Sequence, residues 1–339
     1  MTAPPAPAAP TASHAPAGPA TRPWLRRLLP HLVWEALLLL LVLAVAALIA
    51  ARADVLGNPG LLFNIAGLGL LATGLALSLR TGTPNLAAPA LASLSGVSYV
   101  ALLDAGWSMV PAAAVGVIVV VTCGLILGLI TGLTSVPAWA VSVAGLAGAA
   151  AVVLAVTDGQ HIVIRNAGAP TTGVATVWLL LFGVTTLGGA LLWQVPAVRA
   201  LLSANRSDGA PGGWSARRLV GAVVGFAGSS LLAALSGLVV ATSMRAAGPT
   251  GADLSRLALG LAVVLLGGVS AFGRRGGIAG TLLATILLVL VSTALAVEDA
   301  PIWISIGLVP AVAITIGLLV GRLLDFLSGP EPAGPVPGR

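Results

Sequence analysis

Apolar positions in this chain gather into long runs, each ended by a short polar or basic stretch. The runs fall at roughly 32–51, 61–79, 86–103, 109–131, 137–156, 175–195, 218–243, 254–272, 277–297 and 302–321. Most come close to the ~20 residues an α-helix needs to cross hydrocarbon with every backbone group paired. They lack the alternation of polar and apolar residues that a membrane β-barrel would carry. The pattern therefore predicts an all-α, polytopic membrane protein with about ten transmembrane helices. Ten is an even number, so both termini lie on one side. One interruption stands out. "TGTPNL" (81–86) follows Arg80 and places Gly, Pro and Asn between two apolar runs.

Composition supports the membrane class. Only 8% of the 339 residues are charged and 58% are hydrophobic, whereas a soluble surface needs far more charge. The 43 glycines suit close helix packing in lipid. A net charge of +6 would suggest nucleic acid until the basic residues are placed along the chain. All are Arg. With the N terminus in the cytoplasm, Arg22, Arg26, Arg27, Arg80, Arg199, Arg206, Arg217, Arg218, Arg274, Arg275, Arg322 and Arg339 fall inside, and Arg52, Arg165, Arg245 and Arg256 fall outside. That bias follows the positive-inside rule, and no nucleic-acid partner is expected. The eight tryptophans lie near predicted helix ends or in loops, where they are expected to anchor at the lipid interface.

The chain divides into a Pro/Ala-rich tail over 1–30, expected to be disordered and cytoplasmic, a membrane domain over 31–325, and a second disordered tail over 326–339. Arg26 and Arg27 before the first apolar run resemble a secretory or twin-arginine signal, but the many later spans favour a first transmembrane helix. The stretch 70–86 aligns with 231–254, each passing from a small-residue helix through Arg to a Gly/Pro break. The predicted orientations are opposite, as in inverted repeats formed by spans 2–5 and 7–10.

Catalytic chemistry is absent from the sequence. There is no phosphate loop, no HExxH, no CxxC and no Ser–His–Asp set, so the chain reads as a non-enzyme without a metal or cofactor of its own. Cys123 is a small packing residue in an apolar run, and His14, His31 and His161 lack metal-ligand spacing. Glu35 is the one acid inside a predicted span, and is expected to sit at the interface. The remaining acids fall at span ends or beyond. No ionisable group is expected at mid-membrane, which speaks against an ion-coupled carrier.

Three segments carry a resemblance. They are "LFNIAGLGLLATGLALSLRTGTPNLAAPALASLSGVSYVALL" (62–103), "GLILGLITGLTSVPAWAVSVAGLAG" (124–148) and the long block 217–291 with "GGVSAFGRRGGIAGT". They resemble the permease subunits of ribose/monosaccharide-type ABC importers, a family that extends to branched-chain amino acid permeases. In the last block Gly267, Gly268, Ser270, Gly273, Arg275, Gly276, Gly280 and Thr281 stand at the family's Gly-Gly-Thr-Ser, Gly-Arg-Gly and Gly-Thr places. The resemblance implies a type II-like importer fold in a bacterial plasma membrane. It also implies a dimer with a second permease copy or paralogue, a cytoplasmic ABC ATPase that binds the ATP and Mg, and an extracellular solute-binding protein. It places Thr81, Gly82, Thr83, Pro84 and Asn85 on the translocation path, and Ala204, Asn205, Arg206 and Ser207 in the segment that couples to the ATPase.

Two departures bear on function. Asn85 replaces the family's Asp, so the break is less polar than in sugar permeases. "GAPGG" (209–213) follows Ser207 and Asp208 where a docking helix would continue. Either that helix is short, around Val198–Asn205, or the partner surface is altered, or the chain is a degenerate subunit pairing with a paralogue. The reading is a permease for a small polar solute, foremost a monosaccharide. The alternatives are a nucleoside or branched-chain amino acid permease, a secondary transporter and a non-transporting scaffold.

Overall fold

A computed structural model describes residues 23–134, 136–164, 170–206, 215–249, 254–271, 273 and 278–327. Ser207, Arg275, Gly276, the "GAPGG" stretch and the outer parts of both tails lie outside the described residues. The helices are α1 (Pro23–Ala50), α2 (Pro59–Arg80), α3 (Ala88–Asp104), α4 (Met109–Thr134), α5 (Ala138–Thr157), α6 (Thr172–Gln194), α7 (Pro196–Leu202), α8 (Ala216–Met244), α9 (Leu254–Leu266), α10 (Gly280–Val297) and α11 (Val309–Leu327). A π-helical turn at Ile304–Leu308 leads into α11. Helix α1 begins at Pro23, inside the stretch expected to be tail.

Eight of these helices are long and apolar enough to cross a membrane, and α3 and α9 are shorter apolar helices. The fold is that of an all-α polytopic membrane protein. Among the described residues there are ten apolar helices, with α7 as an extra short helix between α6 and α8. Local chemistry sets several ends. Asn58 caps α2, accepting from Gly60 N at 2.7 Å, and Pro59 opens the helix where no amide donor is needed. Ser215 caps α8 through Arg218 N at 3.3 Å.

The two central helices are α2 and α8. Of the apolar stretch of α2, 72% is buried, and of α8 56%, against 22% for α1, α6 and α11. The outer helices turn Leu, Ile and Val outward, as a lipid-facing surface requires. Helices α2 and α8 run antiparallel: Gly67 lies against Val239, and Gly74 against Ser229. Around this pair, α3 and α4 pack on α8 while α9 and α10 pack on α2; α5 then covers α3 and α11 covers α9. Helices α4 and α8 approach closely over three turns. Gly124, Gly128 and Gly132, four residues apart, meet Phe226 O, Val223 Cα and Leu219 Cα, where a Cβ would come within 2.9 Å of each. Only a row of glycines lets two backbones meet so tightly.

The connections collect at two ends. One end holds the start of α1, the α4–α5 turn, α7 and the start of α8, and the end of α11, together with most of the arginines. At the opposite end Arg52 pairs with Glu298, linking the α1–α2 and α10–α11 connections. There too a two-residue pair, β1 (Ile162–Val163) and β2 (Ala246–Ala247), ties the α5–α6 and α8–α9 connections in antiparallel register.

Candidate solute cleft and the buried break

The break at 81–86 is neither a surface turn nor an open lining. Helix α2 ends in a Schellman motif: Thr83 N bonds Ser78 O at 2.8 Å, Gly82 N bonds Leu79 O at 3.0 Å, and Gly82 takes φ 73°. A residue with a Cβ resists that conformation. Thr81, Thr83 and Asn85 are fully buried. The Thr81 and Thr83 hydroxyls share a 2.7 Å hydrogen bond, and Thr81 also donates to Ser78 O. The Asn85 amide donates to the Ser229 hydroxyl of α8 at 2.8 Å and to that of Ser230 at 3.3 Å, while its carbonyl oxygen is buried without a partner. Both threonine hydroxyls sit against Gly225, where a Cβ would collide with them.

This contact fixes the depth of the break. Gly225 lies nine residues after the first residue of α8, so the break sits roughly 13 Å along that helix at about 1.5 Å per residue. It packs level with the Gly124–Gly128 stretch of α4, short of that helix's end. Arg80, expected at the inner surface, is buried instead at 7% exposure. Its guanidinium lies 6.0 Å from the ring of Trp193, within cation–π reach. Trp193 is buried too, and the part-buried Trp34 donates to Leu266 O at 2.7 Å; both rings pack against neighbouring helices.

Two cavities flank the central pair. The larger, about 360 Å³, opens between α2, α8, α9 and α10, toward the end away from most of the arginines. Asn64, Ser236, Arg256, Ser292 and Thr293 give it polar groups set among Phe63, Leu71 and Val289. Ser236 donates to Gly67 O at 2.7 Å and Thr293 to Val289 O at 2.9 Å, leaving hydroxyl lone pairs for a further donor. Such a mixed lining suits a small hydroxylated solute. The smaller cavity, about 130 Å³, lies between α2, α6 and α10 beside Arg80. Thr81, Gly82, Thr83, Pro84 and Asn85 line neither.

The described residues of the glycine-rich motif lie between the end of α9 and the start of α10. Gly268 ends α9 in a second Schellman motif, with φ 79° and Val269 N bonded to Val264 O at 3.2 Å. Gly267 and Gly280 touch backbone to backbone, Gly273 abuts Leu79 O, and Ser270 is buried. Thr281 lines the smaller cavity. Glu35 reaches the start of α10 from α1. Its carboxylate is buried and accepts from Ala279 N at 2.9 Å and Gly280 N at 3.1 Å. It caps α10, where a negative charge complements the helix dipole. Glu35, expected at the interface, is thus turned into the protein against the start of a neighbouring helix.

On the arginine-rich side, α7 ends at Leu202 and a 3₁₀ turn covers Ala204, Asn205 and Arg206. Asn205 donates to Arg218 O at 2.9 Å, clamping the turn on the first turn of α8. Helix α7 has seven residues, Pro196–Leu202.

The sequence did not single out Asn64, Ser236, Arg256, Ser292 or Thr293. Isolated Ser and Thr within apolar runs are common and carry no spacing signal; Asn64, a lone carboxamide in a predicted span, was the one visible hint. Comparison with protein-family models, with curated proteins and with solved structures gives no match.

Proposed function

We propose that this chain is a membrane permease subunit that passes a small polar solute, foremost a monosaccharide, with ATP hydrolysed by a separate subunit. The observation that carries the reading is the 360 Å³ cleft between α2 and α8–α10, polar on part of its wall and set on the two central helices. The packing supports an inverted repeat of α2–α5 and α8–α11: the second and third helices of each unit pack on the first helix of the other, and the fourth packs on the second. Transporters commonly place solute sites between such units. The short α7 and the 204–206 turn are the proposed dock for a cytoplasmic ATPase. The arginine-rich end is the proposed cytoplasmic face, in a bacterial plasma membrane. The family assignment, the solute-binding protein and the dimer partner rest on the sequence resemblance alone.

Ion coupling within this chain is less well supported. Arg80 is buried among the described helices, but arginine does not release its proton in proteins. Glu35 is committed to the start of α10. A tagged protein drawn from native membranes is expected to bring down an ATPase with a phosphate loop and a secreted solute-binding protein, whose ligand names the solute. Recovery of this chain alone, still moving solute after reconstitution into liposomes, would overturn the reading.

A further inference from the structure

Asn64 stands where its helix has no use for it. It lies in the interior of α2, beyond the amides at that helix's start, which Asn58 already caps. A carboxamide in a helix interior is neutral to unfavourable, and an unpaired one inside a membrane domain is costly and points to a function there. Among the described residues the Asn64 side chain has no hydrogen-bond partner. It is also the one exposed residue between Leu61 and Gly67, and the space it faces is the outer cleft. Ser292 of α10 lines the same cleft, again without a partner among the described residues.

We propose, on the reading of this cleft as the solute site of a permease, that Asn64 selects the solute by pairing with two hydroxyls on neighbouring carbons of a single sugar ring or comparable polyol. A carboxamide presents a donor and an acceptor side by side. Neighbouring hydroxyls answer both, since one oxygen accepts from the amide while the other donates to its carbonyl. A carboxylate offers acceptors alone and an ammonium donors alone. Either leaves half of the carboxamide unpaired, which is costly once water is excluded. The other walls ask for the same chemistry. Ser236 and Thr293 have given their protons to Gly67 O and Val289 O, so they accept from a solute O–H. Leu68, Leu71 and Val240 offer an apolar surface to the C–H face of a ring. A cavity of about 360 Å³ holds on the order of twelve waters at roughly 30 Å³ each, the scale of one ring rather than two. The pairing involves no charge and stands apart from Arg256, which shares the wall and is already engaged in an interaction of its own.

The test is equilibrium binding to the purified full chain in detergent, which needs no ATPase. Ribose, glucose, lactate and two cyclohexanediols are titrated by calorimetry. One diol carries its hydroxyls on neighbouring carbons and the other carries them across the ring, so adjacency alone separates them. Protection of Ala296→Cys from a maleimide, in a Cys123→Ser background, locates the bound solute, because Ala296 is an exposed residue of the cleft wall. Ribose or glucose is expected to bind and to protect. The neighbouring diol is expected to bind about tenfold more tightly than its isomer, the worth of roughly one net hydrogen bond. Asn64→Leu is expected to erase that preference, and Asn64→Gln, with the carboxamide on a longer stem, to keep part of it. Asn64→Ala is expected to behave as Asn64→Leu does, which maintains the test should Asn64→Leu fail to fold. A merely structural role would weaken both diols together and leave their ratio unchanged. Equal binding of the two diols to the wild type, or an unchanged ratio in folded Asn64→Leu, overturns the role of Asn64, while sugar binding with protection keeps the cleft as the solute site. Lactate binding more tightly than either sugar overturns the polyol assignment. Absence of binding by every probe, or binding without protection of Ala296→Cys, overturns the solute cleft itself and the role of Asn64 with it.

Discussion

At the scale of single residues, two buried polar side chains hold distant segments together. Glu35 reaches across the chain to the start of α10 and satisfies two amides that no helical carbonyl can reach. Glu35→Ala is expected to lower stability by about 1–3 kcal/mol, the range for charge-assisted hydrogen bonds whose donors are left buried. Glu35→Gln keeps an acceptor oxygen and is expected to lose less. Thermal midpoints in detergent distinguish the two, and equal losses would mean that shape rather than the cap sets the effect. Asn85 offers a sharper contrast. An Asp at this position would bury a carboxylate in a pocket of neutral hydroxyls. Burying an unpaired charge costs more than losing a neutral hydrogen bond. Asn85→Asp is therefore expected to melt at a lower temperature than Asn85→Ala at neutral pH; the opposite order would sink the account of this site. None of these partnerships was legible in the sequence. Glu35 and Gly280 are 245 positions apart, and one acid near a span end reads as interfacial until its partner is seen.

At the scale of elements, run lengths made the helices legible. Every predicted span has an observed counterpart, because an apolar run bounded by Gly, Pro or Arg constrains a membrane helix strongly. The depth of the break was not legible. The spans predicted on either side of it look like ordinary crossings, so Arg80 was expected at the surface. What sets the depth is tertiary: α8 continues for nine residues beyond the break before its start, and Gly225 is the notch that receives both threonines. Filling that notch tests the arrangement. Gly225→Val is expected to destabilise by about 1–3 kcal/mol through overpacking. Combining it with Thr81→Ala and Thr83→Ala is expected to recover part of the loss, since the two oxygens it would strike are then gone. No recovery would mean that the valine is excluded by something other than the break.

At the scale of the whole molecule, everything turns on whether α3 and α9 count as crossings. They have 17 and 13 residues, against 22 and 29 for α2 and α8. A short helix spans when the protein around it completes the path, and a buried break is what α3 would need for this: non-helical backbone at membrane depth is tolerated where protein encloses it. If α2 and α3 together cross and return, the α1–α2 and α3–α4 connections share one face, and the α4–α5 turn and α7 share the other. Single cysteines at Asp54, Ser108, Val136 and Ala200, all exposed, in a Cys123→Ser background, read this out with a membrane-impermeant maleimide on intact cells and on inverted vesicles. Asp54→Cys and Ser108→Cys are expected to label from the same side, and Val136→Cys and Ala200→Cys from the other. Labelling of Asp54→Cys and Ser108→Cys from opposite faces would leave only one of α2 and α3 as a crossing, and the pairing of α2–α5 with α8–α11 as inverted units would fall with it. The cleft between α2 and α8–α10 would then have no reason to exchange its exposure between the two sides of a membrane.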